Sequence, residues 1–368
     1  MEAGTTTERG GEHPPAAAPD RDEVAAGTSA TMRAIVQDTY GGIEVLRLAQ
    51  TEVPPIEAGE VLVRVRAAGL DRGTWHFMTG RPYLMRIMGF GLRSPKNRVA
   101  GLDVAGTVVA VGADVTRFRL GDEVFGISRG SFAAYAATRE DKLAHRPSSL
   151  TFEQAAAVPI SAITALQALR DAGRLEAAQQ VLVIGASGGV GSYAVQMAVA
   201  LDAHVTGVCS TTKVDFVRSL GAERVIDYTK DDFADGSLRY DLIVDIGGNS
   251  RLRRLRRALT PHGTLVIVGG ESRGRWTGGF GRQLRAVALS PLVRQRLTMQ
   301  MTKEHYADIE RVAELIDAGV VMPSIERTFR LDQVPDAMRL LESGQVRGKV
   351  AITLCESPTP GPNARISI

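Results

Sequence analysis

The chain has 368 residues, long enough for two domains. Its 44% hydrophobic and 23% charged residues are those of an ordinary soluble globular protein, and 44 basic against 41 acidic residues leave a net charge of only +3, which argues for neither a nucleic-acid nor a membrane partner. Two cysteines, Cys209 and Cys355, cannot form a disulfide framework and suit a reducing cytosol, and no apolar stretch approaches the ~18–20 residues needed to cross a bilayer.

The first thirty residues are rich in Ala, Gly, Thr, Pro and Glu and hold no apolar block. They resemble neither a secretory signal nor, given their acids, a transit peptide, so a disordered tail over 1–31 and a cytoplasmic location are expected. From Arg33 to about Arg146, short runs such as RAIVQ, VLVRVRAAG, DVAGTVVAVG and FAAYAAT alternate with turns and predict a mainly antiparallel, barrel-like domain. The stretch TFEQAAAVPISAITALQAL (151–169) reads as a helix interrupted by Pro159. The rhythm then becomes strand and helix in alternation. Strands are expected at Val181–Gly185, His204–Cys209, Arg224–Asp227, Asp241–Asp245 and Thr264–Val268, with a helix from Thr212 to Leu220 stopped by Gly221. This alternation predicts a doubly wound parallel sheet, covered by helices on both faces. Residues 301–356 return to mixed helix and strand, and a flexible tail is expected over 357–368.

The run VLVIGASGGVG (181–191) leads from an apolar strand through a glycine turn into an amphipathic helix, the order that binding a dinucleotide pyrophosphate requires. Gly185, Ser187, Gly188, Gly189, Val190 and Gly191 are therefore cofactor-binding candidates. The next strand, HVTGVCS, lacks the terminal acid that usually bonds the adenosine ribose of NAD. It runs instead into Ser210, Thr211, Thr212 and Lys213, whose hydroxyls and ammonium suit the 2′-phosphate of NADP. The same residues would also serve as a helix cap.

Three separated motifs, GLDVAGTVVAVGADVTRFRLGDEVFG (101–126), AAAVPISAITALQAL (155–169) and GASGGVG, together resemble the medium-chain dehydrogenase/reductase superfamily, within it the zinc-independent quinone oxidoreductase branch. The resemblance spans roughly residues 32–355. It implies a GroES-like barrel (32–152 and 301–356) interrupted by an inserted Rossmann domain (153–300), with the active site between them. Zinc members place a cysteine where this chain has Asp71, and a His-Glu pair where it has Leu102 and Asp103. Leucine cannot ligate, so no metal is expected; Asp71, His76 and Asp103 are the residues from which an improvised site would have to be built.

The resemblance also assigns roles. Asp71 and Trp75 fall on a run that borders the substrate in relatives, Asp71 to position the cofactor or a water and Trp75 as a flat wall or as plain core. Thr164, Gly247 with Gly248 and Asn249, Tyr228, Arg347 and Lys349 fall where relatives hold the cofactor, the last two otherwise reading as a mere turn before a strand, and Gly269 with Gly270 fit the rule that ligands collect at the carboxyl ends of parallel strands. The Met-, Phe- and Gly-rich segment 76–97 suits an apolar mouth, whereas the basic segment 271–300 suits a cover, a subunit contact or a solvated face. The implied activity is NADPH-dependent hydride transfer to a quinone or an α,β-unsaturated carbonyl. Enoyl-thioester reduction, which would use arginines 282, 285, 294 and 296 for docking, and alcohol dehydrogenation are the alternatives, and a homodimer is the expected assembly. Outside enzymology, RLRRLRRAL (251–259) raises nucleic-acid binding, but Leu252, Leu255 and Leu259 recur at helical spacing and predict a packed helix with arginine on its exposed face.

Overall fold

The computed structural model describes residues 30–269, 276 and 278–354. Of the expected tails, 1–31 and 357–368, residues 1–29 and 357–368 lie outside the described residues, as do Cys355 and Gly270, whereas Thr31 already belongs to a strand. Within them the strands are β1 Thr31–Val36, β2 Arg47–Glu52, β3 Glu60–Leu70, β4 Asp103–Val111, β5 Glu123–Ile127, β6 Tyr135–Arg139, β7 Leu143–His145, β8 Gln180–Ile184, β9 His204–Cys209, β10 Arg224–Asp227, β11 Tyr240–Asp245, β12 Leu259–Ile267, β13 Arg296–Met299, β14 Ile325–Arg330 and β15 Lys349–Thr353.

One sheet runs β14-β15-β3-β4-β5-β7 with β6 also on β3, and β1 pairs with β2 beside it. The second runs β10-β9-β8-β11-β12-β13, with each pair parallel. Chemistry of the strands explains the contrast. In β3, Val61, Val63 and Val65 are buried while Arg64 is exposed, the period-two signature of a half-covered antiparallel strand. In β8, Val181 to Ile184 are all buried, as a parallel strand covered on both faces demands.

The connection between the sheets is helical. Thr151 caps Phe152–Ala156 in a reciprocal box with Gln154, and Pro159 stands in the first turn of Pro159–Gln167, where its missing N–H costs nothing. That second helix and Gly189–Ala200 bury Ile163, Ala165, Tyr193 and Val195 in one apolar cluster that also takes in Phe125 of the first sheet and Val181 of the second. Tyr193 Oη donates to the Ala157 carbonyl at 3.1 Å. The two sheets therefore share a core, which fixes the cleft between them.

Three departures from the sequence reading stand out, the first two with local causes. Strand β13 lies inside the basic segment expected only to cover or contact something; four residues with a single buried side chain, Leu297, leave too short a pattern to read. Strand β12 begins at Leu259, ahead of the expected Thr264, through Pro261 and Gly263, residues that ordinarily end a strand. And β14 pairs parallel to β15 within an otherwise antiparallel sheet.

Candidate active site

The parallel sheet reverses direction of growth between β8 and β11, the position where ligands collect in such folds. A cavity of about 600 Å³ opens there, at the carboxyl ends of β8, β9 and β11 and against the end of β3. Gly185 leaves β8 with φ +87°, a conformation that favours glycine. At Gly191 a Cβ would stand 2.1 Å from the Gly185 carbonyl oxygen, so only glycine lets the helix sit this close to the strand. No side chain caps Gly189–Ala200, which leaves its first-turn amides beside the cavity without a side-chain acceptor.

Of the expected site residues, Asp71, Gly185, Ser187, Gly188, Gly189, Val190, Ser210, Lys213, Tyr228, Gly247 and Lys349 line this one cavity. Ser210, Lys213 and Tyr228 form the end beside β9 and β10, while Asp71, Ser161, Gly247 and Lys349 form the end beside β3 and β11. The Ser210 side chain makes no cap to the turn that follows, which removes the capping explanation for that residue. Lys213 Nζ donates to the carbonyls of Gly344 and Val346 at 2.7 and 2.8 Å, and desolvation lowers its pKa from the ordinary lysine value. Thr211 turns away, donating to Asp227 Oδ2 at 2.6 Å.

Besides Gly248, whose amide donates to Asp245 Oδ1 at 3.1 Å, five expected residues do not line the cavity. Trp75 is not the expected wall: it packs in the apolar cluster of Met78, Phe132 and Val334, and its Nε1 donates to Glu342 at 2.6 Å. Thr164 Oγ1 bonds the Ile160 carbonyl at 2.6 Å and Thr302 at 2.8 Å. Gly191 serves packing, as does Gly269, where a Cβ would meet the Ile246 carbonyl at 1.9 Å. Arg347 forms an exposed ion pair with Glu326 at 2.7 Å.

The far end of the cavity holds a cluster that local sequence did not signal. Lys349, only 2% exposed, places Nζ 3.1 Å from Asp103 Oδ2 and 3.1 Å from Ser161 Oγ. The other oxygen of Asp103 accepts from the Ile160 amide at 2.9 Å. Burial pushes the Asp103 carboxyl up to about 7; the Lys349 ammonium pulls against that rise and the nearby Asp71 charge adds to it. Asp71 caps the helix Arg72–Thr79, its Oδ1 accepting from the Thr74 amide at 2.8 Å, while its Oδ2 is buried without a hydrogen-bond partner among the described residues. Cys209 also lines the cavity, but burial raises its thiol to about 11, which leaves it a neutral wall.

Two arginine-rich segments also resolve. In Leu252–Ala258, Leu255 is buried, Arg254 and Arg257 pair with Asp232, and Arg256 bonds Gln295, so the packed-helix reading holds. Of the arginines considered for docking, Arg282 turns inward to Asp245 and Arg296 to the Ala172 carbonyl.

Residues 57–148 match the family described as alcohol dehydrogenase GroES-like domain, and residues 220–352 the one described as zinc-binding dehydrogenase. The chain is 34% identical over 364 residues to "NAD(P)H oxidoreductase RTN4IP1, mitochondrial" of Mus musculus, covering 89% of this chain and 90% of that protein. It is 31% identical over 336 residues to 2-methylene-furan-3-one reductase of Solanum lycopersicum, covering 87% and 79% respectively. The solved quinone oxidoreductase from Coxiella burnetii superposes with a TM-score of 0.77 at 27% identity, over 89% of this chain and 100% of that one. A glycine turn at the switch point of a parallel sheet, facing a β-rich domain across a shared cleft, agrees with these matches, and the chain belongs to the medium-chain dehydrogenase/reductase superfamily as an oxidoreductase of its quinone oxidoreductase-like branch.

Proposed function

We propose that the protein is a zinc-independent reductase that uses NADPH to reduce a quinone or an α,β-unsaturated carbonyl. The observation that carries this reading is the single cavity running from Ser210 and Lys213, past the glycine turn, to Asp71 and Lys349. The dinucleotide, when bound, supplies the hydride. First-turn amides of Gly189–Ala200 suit its pyrophosphate. Ser210 and the remaining N–H of Lys213 suit a 2′-phosphate, and no acid ends β9 to bond an unphosphorylated ribose. The nearest candidate acid, Asp227, already accepts from Thr211 and Thr229.

At the end of the cavity beside β3, the buried Lys349 charge would favour a developing oxyanion, and Asp71 Oδ2, without a hydrogen-bond partner among the described residues, would accept a hydrogen bond from the cofactor or a water. The donor set does not fit the zinc named in one family description. Leu102 offers no ligand, Asp103 is engaged by Lys349, and His76 Nδ1 is 2.7 Å from the Arg81 carbonyl oxygen. Among the described residues no group of three or more His, Cys, Asp or Glu is arranged to hold a metal ion.

The domain boundaries we adopt are 32–152 with 301–356 for the barrel and 153–300 for the nucleotide domain, supported by β14 and β15 joining the first sheet and β13 the second. A homodimer is supported by the edge position of β13 and by exposed Leu284, Val287 and Leu292 nearby in sequence. No helix among the described residues is long and apolar enough to cross a membrane. A cytoplasmic location is part of the same proposal, and the small net charge supports the absence of a nucleic-acid partner. The test is NADPH oxidation against quinones, enones, aldehydes and enoyl thioesters, with and without a chelator. Turnover restricted to quinones and enones and indifferent to chelation is expected; chelator-sensitive turnover or a preference for aldehydes or thioesters would overturn it.

A further inference from the structure

We infer a second ligand site, for a compact polyvalent anion such as the phosphates of a small metabolite, in a cleft of about 500 Å³ lined by Arg253, Arg256, Arg257, Pro261, Arg294 and Gln295. Four arginines line it from two elements, the helix Leu252–Ala258 and the segment entering β13, and among the described residues no carboxylate lines the cleft. A helix C-terminus accounts for arginines in its own last turn, but not for Arg294 arriving from another element. Two of the four are held in place: Arg256 Nε donates to Gln295 Oε1 at 3.0 Å, and Arg257 reaches Asp232 at 3.4 Å. Gln295 in turn bonds the carbonyls of Arg256 and Thr260 at 2.9 and 3.3 Å. The side chains of Arg253 and Arg294 make no hydrogen bond or ion pair with another described residue, leaving both forks for a ligand. Guanidinium forks match phosphate oxygens two at a time, and a compact anion would relieve the mutual repulsion of the four, of which Arg257 alone has a carboxylate partner among the described residues.

The site is separate from the cofactor cavity. Pro261 stands at the start of β12 and Arg294 just before β13, the amino ends of parallel strands, whereas the cofactor cavity lies at carboxyl ends. A strand of five residues puts these ends on the order of 15 Å apart. The cleft's volume is that of a small-molecule site, and without an aromatic residue it offers no surface on which bases could stack. A phosphorylated small molecule therefore fits better than a nucleic acid.

Calorimetric titration of NADPH-saturated protein with inorganic tripolyphosphate tests this. We expect saturable one-to-one binding, weakened at least about tenfold by the double variant Arg253→Gln/Arg294→Gln while NADPH turnover stays unchanged. The variant Arg253→Lys/Arg294→Lys keeps the charge but loses the forks and should fall between the two. Absence of binding, displacement of NADPH by the anion, equal affinity in the double variant, or tighter binding of a single-stranded RNA than of tripolyphosphate through these arginines would each overturn the inference.

Discussion

Replacing Lys349 with methionine removes the ammonium lying 3.1 Å from Asp103 Oδ2 while keeping most of the side-chain volume. Taking one partner from a buried ion pair costs about 3–5 kcal/mol when the other charge stays uncompensated. Asp103 has an escape, because its carboxyl already stands at about 7 with Lys349 beside it and rises further without it. A folded-state pKa above the ordinary carboxylate value of about 3.9 means that the folded chain keeps a proton the unfolded chain has released. Stability then falls as pH rises, by about 1.4 kcal/mol per pH unit, until the folded carboxyl ionises. In the native protein this contribution acts between roughly pH 4 and 7 and is flat above. In Lys349→Met it continues upward, so the gap to the native protein should widen by about 2 kcal/mol from pH 7 to 8.5. Urea unfolding across that range measures it, with Lys349→Met/Asp103→Asn expected to restore the flat profile. A gap that stays constant with pH would refute the assignment of the proton to Asp103.

Other consequences follow from single contacts. Lys213→Glu should raise KM for NADPH by ten- to a hundredfold, as losing a charge-assisted contact of ~1.5–3 kcal/mol requires, with a smaller effect on NADH; steady-state kinetics with both cofactors decides, and an unchanged preference would contradict the 2′-phosphate assignment. In Gly191→Ala, the new methyl 2.1 Å from the Gly185 carbonyl must push helix from strand, costing about 1–3 kcal/mol by denaturant unfolding and weakening cofactor binding by fluorescence titration. Trp75→Phe should lower stability by about 1 kcal/mol through the lost bond to Glu342 and leave kcat unchanged; a marked fall in kcat would return Trp75 to the substrate wall.

The glycine turn at the cavity was legible because its whole signal is local: apolar strand, glycines and helix start occupy eleven consecutive residues, Val181 to Gly191. Ser210 and Tyr228 were legible for a related reason, since positions just after parallel strands must face the same edge of the sheet. The Asp103–Ser161–Lys349 cluster was not, because Lys349 is 246 residues from Asp103 and 188 from Ser161, and nothing in GLDVAG or VPISAI marks a buried polar contact. Trp75 misled through direction. Its place beside Asp71 was read correctly, but rotation along Arg72–Thr79 turns the ring toward Glu342 rather than the cavity. Arg347 and Lys349 show the same limit in a strand, where the two side chains of one Arg-Gly-Lys run diverge, one to Glu326 at the surface and one to the buried cluster.

The central claim, hydride transfer from NADPH to a conjugated carbonyl without zinc, is tested most directly by isotope transfer. Protein stripped with a chelator and checked for metal content would be given NADPH carrying deuterium at both positions of the nicotinamide C4 and a simple cyclic enone, and the product examined by mass spectrometry and NMR. The account predicts one deuterium at the β-carbon of the saturated ketone, formed at the same rate before and after stripping. A product without deuterium at that carbon, or a rate restored only by added zinc, would contradict it.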